Sequence, residues 1–116
     1  MEDWELEFYW NKVRHQVKDL MNLNGLPDMN GILFLIGVQE LGRWEGEFSK
    51  EQKQDLMHIA VCSLLENDGH YEFIGRDADG WPHYELRKAV VNFGEESQEN
   101  LLKRKVIAYF EKVISE

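Results

Sequence analysis

The stretch GRDADGWPHYEL, residues 75–86, gathers Asp77, Asp79, His83 and Glu85 around an Asp-Gly turn, with Trp81 and Tyr84 beside them. Carboxylates and imidazoles at that density could hold a cation or move a proton. An EF-hand calcium loop needs oxygen ligands at its first, third and fifth positions, glycine at the sixth and glutamate at the twelfth. Counted from Asp77, the fifth, sixth and twelfth positions are Trp81, Pro82 and Lys88. The pattern fails at all three, and the Asp-x-Asp-Gly string reads as turn chemistry. A transition metal shared by His70 and His83 is not expected either. In an antiparallel pair with its tip near residues 78–79, facing residues have numbers that sum to about 157. His70 then falls near Arg87 and His83 near Ile74, so the two rings do not meet across the ladder.

A second group lies in residues 51–62. Glu51, Asp55, His58 and Cys62 follow 4-3-4 spacing and share one stripe of a helix surface. Asp55, His58 and Cys62 could ligate a metal, since Asp-x-x-His resembles half of the carboxylate–histidine pattern used in helical bundles. They could also make a thiol nucleophile, with His58 as base and Asp55 as its orienting group. Against the metal, His15 and Asp19 in the first helix offer no matching ligand pattern. Against the thiol, all three side chains would extend from one helix, with no oxyanion donor in view. The plain alternative is that Cys62 is a small buried hydrophobe. No catalytic residue, metal or cofactor is assigned on this basis, and Asp55, His58 and Cys62 stand as the candidates for such a site. Dinucleotide, P-loop, nucleophile-elbow and zincin motifs are not found in the chain. The paired carboxylates Glu45/Glu47 and Glu95-Glu96 fall in loop-like segments, where solvation explains them.

Charge restricts the partners. The 116 residues carry a formal charge of −9. Residues 28–85 hold twelve acids against four bases, a net of −8, whereas residues 86–116 hold five acids against six bases, a net of +1. An acidic centre repels a phosphate backbone, so nucleic-acid and anionic-membrane binding are disfavoured and a cationic partner fits better. The single cysteine precludes an intramolecular disulfide. The acidic MEDWELEFYW start is unlike a signal peptide, and the longest apolar run, Ile32–Ile36, is far below the ~20 residues of a membrane span. A soluble, cytoplasmic protein is the expectation.

The elements that would position these residues follow from periodicity. Residues 3–23 predict a first helix with Leu6, Trp10, Val13, Val17 and Leu20 as its apolar seam and Asn24-Gly25 as its stop. Trp4 and Phe8 lie roughly opposite that seam. Either the first turn is irregular and both rings fold back onto the core, or they form a second apolar face that binds a partner or another copy of the chain. PDMNGILFLIGVQELG predicts a second helix capped at Asp28 or Asn30, apolar all round from Ile32 to Val38 and therefore buried. SKEQ is a capping box that starts a third, central helix at Ser49 and carries it to about Glu66. The period then shortens to two. His70–Gly75 and Trp81–Leu86 predict a hairpin with a type I turn and bulge at Asp79-Gly80. Pro82 confines its strand to an edge or a strand start, and residues 89–93 could extend this strand or add a third. A last helix begins at Ser97, with Leu102, Val106, Tyr109, Phe110 and Val113 inward and Lys103, Arg104 and Lys105 outward.

The expected fold is α+β, mainly helical, in the order α-α-α-β-β-α, with residues 1–116 as a single domain. A winged-helix-like shape is the alternative, but its reading helix and wing tip would be acidic where DNA binding needs cations. The leading function is a small non-enzymatic interaction or regulatory module, with a homodimer as one form it could take. Surplus aromatics at Trp4, Phe8, Trp44, Phe48 and Trp81 are the candidate partner-binding residues. A metal- or thiol-dependent protein using Asp55, His58 and Cys62 is the second reading, and a winged-helix regulator the third.

Overall fold

The computed structural model describes residues 2–89 and 97–115. It contains four helices and a two-stranded antiparallel hairpin in the order α1 (Asp3–Met21), α2 (Met29–Leu41), α3 (Lys50–Glu66), β1 (Tyr71–Arg76), β2 (Pro82–Leu86) and α4 (Gln98–Ser115). This is the mainly helical α+β order read from the sequence. Residues 90–93 of the expected strand extension and the Glu95-Glu96 pair lie outside the described residues. Two compact units are distinguished, one of Met1–Met29 with Val91–Glu116 and one of Asn30–Val90.

In the first unit α1 packs on α4. A reciprocal capping box between Glu2 and Glu5 starts α1, and Leu6, Trp10, Val13 and Val17 form its buried stripe. The helix stops at Asn22 rather than at Asn24-Gly25. Asn22 takes the left-handed conformation (φ 55°), while the Leu23 and Asn22 N–H groups close back on the Lys18 and Asp19 carbonyls. Asparagine is among the few side chains that tolerate this conformation. Leu20, the expected last member of the seam, lies within the helix but is 69% exposed.

The structure decides between the two readings of Trp4 and Phe8 and corrects one expectation for α4. The first turn of α1 is regular helix from Asp3, so Trp4 and Phe8 cannot fold back and instead stand exposed on the outer face. In α4, Ser97 caps through its hydroxyl, which accepts from the Asn100 N–H at 3.1 Å. Lys103, however, is not on the solvent side. Its ammonium pairs with Glu7 at 2.7 Å and lies 5.9 Å from the Trp10 ring centroid, so its stem covers apolar surface. Among the described residues of α4, Val106 and Ile107 are buried, whereas Val113 is exposed.

In the second unit, Ser49 and Gln52 make the expected capping box, and Leu56, Ile59, Ala60, Cys62, Leu64 and Leu65 form the buried face of α3. Helix α2 is less evenly buried than its composition suggests. Ile32, Leu33, Ile36 and Gly37 are buried, but Phe34, Leu35 and Val38 only partly so. Gly37 has a specific reason to be glycine: a Cβ there would sit 2.1 Å from the Leu56 carbonyl oxygen. The backbones of α2 and α3 therefore touch at this point.

The hairpin follows the expected register through Tyr71↔Leu86, Glu72↔Glu85 and Phe73↔Tyr84. Its tip is a type I turn closed by Gly80 N–H to Asp77 O and Asp77 N–H to Trp81 O, both 3.0 Å, with Gly80 at φ 87°. This is the turn-plus-bulge geometry expected of Asp79-Gly80. A further shift lies between Phe73 and Gly75, so His83 faces Gly75 and not Ile74. Two arginines fasten the tip to the end of α2. Arg76 donates to the Glu40, Leu41 and Gly80 carbonyls at 2.9, 3.2 and 2.8 Å, and Arg43 donates to the Asp79 carbonyl at 2.6 Å. Arg76 thus satisfies carbonyls that the helix end leaves open, with a cation at the negative pole of the helix dipole.

Candidate functional site

The two residue groups singled out in the sequence come together in the second unit. Helix α3 and the hairpin enclose an open cleft of about 470 Å³. Gln52, Asp55, His58, Ile59 and Cys62 line it from α3; Asp77, Asp79, Trp81, Pro82, His83 and Tyr84 line it from the hairpin. The α3 set falls on one stripe because residues three and four apart share a helix face. The hairpin is brought over that stripe by packing. The His58 and Tyr71 rings meet edge to face at 6.1 Å, Trp81 meets Phe48 at 6.4 Å, and the Phe73 N–H donates to Glu66 Oε2 at 3.0 Å. Glu51 stays outside the lining.

Asp77 works mainly on its own loop. One carboxylate oxygen accepts the Asp79 and Trp81 N–H groups at 2.9 and 3.0 Å, and the other pairs with His83 Nε2 at 3.0 Å. The His83 bond first, and the Trp81 N–H next, hold the Asp77 carboxyl below its ordinary range. Both oxygens are thus engaged in bracing the turn. The carboxylates of Asp55 and Asp79 differ: among the described residues neither has a hydrogen-bond or ion-pair partner. No Lys or Arg lines the cleft. The carboxylates of Asp55, Asp77 and Asp79 line it, with aromatic surface from Trp81 and Tyr84 beside them.

The thiol is poorly placed for chemistry. Cys62 is 1% exposed, with Sγ 3.5 Å from His58 Nε2, and burial pushes its pKa up to about 11. A nucleophilic cysteine needs the opposite, a stabilised thiolate. Although Asp55, His58 and Cys62 share the cleft, no three His, Cys, Asp or Glu side chains among the described residues are grouped so as to hold a metal ion. His70 takes no part; its Nδ1 lies 3.2 Å from the Lys88 carbonyl.

Sequence reasoning did not find the polar link behind the cleft. Ser63 donates to Glu40 Oε1 at 2.7 Å, and the Tyr84 pKa is raised chiefly by burial and then by the Glu40 carboxylate. Ser63 and Glu40 are 23 residues apart, and no local pattern signals their pairing.

The five aromatics proposed as partner contacts separate into two groups. Phe48 is a core residue, 4% exposed, and Trp81 packs against the same cluster. Trp44 is exposed but touches Phe34 and Phe48 edge to face. Trp4 and Phe8, at 70% and 52% exposure, are the two that present a free apolar face. No helix among the described residues is long and apolar enough to cross a membrane. Compared with known protein families, curated proteins and solved structures, the chain matches none.

Proposed function

We propose that the protein is a non-enzymatic cytoplasmic interaction module whose α3–hairpin cleft receives a cationic side chain, arginine above all, from a protein partner. The observation that carries this reading is the pair of unpartnered carboxylates, Asp55 and Asp79, at an aromatic-lined cleft that no Lys or Arg enters. A guanidinium suits that combination because it is planar, bonds carboxylates in bidentate fashion and stacks on aromatic faces. The charge of −8 over residues 28–85 would also draw a basic partner in and speed encounter. A non-enzymatic role is supported by the saturation of the other groups: the Cys62 thiol is buried and protonated, and Asp77 is spent on the turn and on His83.

Titrating ¹⁵N-labelled protein with a hexa-arginine peptide tests the proposal. The Trp81 indole and the Asp55 and Asp79 amides should shift, with hexa-glutamate inert and affinity falling as salt rises. Replacing both carboxylates (Asp55→Asn with Asp79→Asn) should weaken binding at least ~10-fold, the usual scale for truncating a close charge pair. No shift at millimolar peptide, or binding indifferent to the double substitution, would sink the idea.

A further inference from the structure

The α3–hairpin cleft carries two side chains that its reading as an arginine site does not use. His58 lines it from α3 and His83 from the hairpin, and both residues are exposed. Histidine is the side chain whose ordinary titration falls between pH 5 and 8. The other ionisable groups of the lining do not change charge there. Burial pushes the Cys62 thiol up to about 11 and raises Tyr84, and carboxyl groups as a class titrate near pH 4. The formal charge of the lining is therefore −3 with both imidazoles neutral and −1 with both protonated.

Position adds to charge. His58 follows Asp55 by three residues on the same helix face, where side chains of opposite charge attract. A protonated His58 thus competes for a carboxylate that an incoming guanidinium needs. His83 Nε2 lies 3.0 Å from Asp77 Oδ2, so a proton there completes an ion pair at the other wall. The neighbouring charges are committed elsewhere. Glu85, two residues along β2 from His83, pairs with Arg87 at 3.1 Å. Glu40 and Glu66, near Tyr84, accept from Ser63 and from the Phe73 N–H. Arg43 holds the Asp79 carbonyl and pairs with Glu45, and Arg76 holds the carbonyls of Glu40, Leu41 and Gly80. We infer that the cleft is a pH-gated site: it takes the partner's arginine when His58 and His83 are neutral and releases it when they are protonated, the chain then supplying its own cations. This inference rests on the reading of the cleft as an arginine site and adds its regulation.

Hexa-arginine is a suitable probe, because a guanidinium keeps its charge throughout this range. Its affinity for the full chain is measured at fixed ionic strength at about pH 7.5 and about pH 5.5, the lower value staying above the sequence pI of about 4.9. Binding should be at least ~5-fold weaker at the lower pH. His58→Gln with His83→Gln, which keeps a side-chain donor for Asp77, should bind equally at both. His15→Gln with His70→Gln, outside the cleft, should retain the full dependence. By reciprocity, saturating peptide should lower the midpoints at which the His58 and His83 ring protons titrate in the unsubstituted chain. Equal affinity at the two pH values, or midpoints unmoved by peptide, would overturn the gate and leave the arginine site standing. A pH dependence that survives the His58/His83 substitutions would do the same. Absence of binding at either pH would overturn the gate and the site together.

Discussion

Trp4 and Phe8 of α1 and the pair Phe48 and Trp81 look alike in the sequence and have opposite fates. Trp4 and Phe8 lie within the regular periodicity of α1, and that periodicity binds them: a helix with its apolar seam already set cannot turn a residue on its far side inward. Phe48 and Trp81 lie in segments outside the helices, where the backbone is free to direct each ring. Phe34, Trp44, Phe48 and Trp81 consequently form a chain of edge-to-face contacts with centroid separations of 5.5 to 6.4 Å. What decides the fate of a helical aromatic is the side of the seam on which it falls: Trp10 lies on the seam of α1 and is buried, Trp4 and Phe8 lie off it and are exposed.

Truncation at the two sites should expose this difference most strongly. Phe48→Ala removes a buried ring from the cluster of Leu41, Leu56 and Ile59 and should cost about 3–5 kcal/mol in urea unfolding. Phe8→Ala should stay within about 0.5 kcal/mol when measured on dilute protein. Equal losses would mean that α1's outer face is not free. Next in size, Gly37→Ala should cost about 3 kcal/mol in the same measurement, because its methyl must push the Leu56 carbonyl away and the backbone has few ways to yield. The loss should be accompanied by a change in Phe48 and Trp81 ring shifts, since Leu56 belongs to their cluster.

The smallest effect concerns the hairpin tip that holds Trp81. The folded state lowers the Asp77 pKa, so ionised Asp77 is the form it favours. The stabilisation is complete above the unfolded value of about 3.9 and is lost as pH falls through the lowered folded value. Amide shifts of Asp79, Gly80 and Trp81 should titrate together with a midpoint below ~3.9, and Asp77→Asn should abolish that step. A midpoint at or above the ordinary carboxylate value would show that His83 and the turn amides do not brace the tip.

Local chemistry was legible and non-local chemistry was not. The Ser49–Gln52 box, the Asp77–Gly80 turn and the facing of residues 71–73 with 84–86 all depend on residues within about fifteen positions of each other, and all appear as read. The end of α1 was misplaced because Asn22 and Asn24-Gly25 are both chemically able to stop a helix. Lys103 was assigned to solvent because a lysine's charge says nothing of what its stem covers, here the Trp10 ring and the Glu7 carboxylate. The shift at Phe73–Gly75 had a faint signal in Gly75, which sits at φ 119°.

By itself the sequence determined the elements, their order, the acidic centre and the turn at Asp77–Gly80, since each follows from dihedral preference, hydrophobic period or net charge. Only the tertiary structure decided that the α3 stripe and the hairpin share one cleft, that Asp77 is spent on its own turn while Asp55 and Asp79 are not, and that Cys62 is sealed. Those outcomes depend on Arg76 and Arg43 reaching the end of α2 and the tip, 36 residues apart in chain, and on the contact of Gly37 with Leu56. Side chains that meet only when distant segments pack carry no signature in either segment alone.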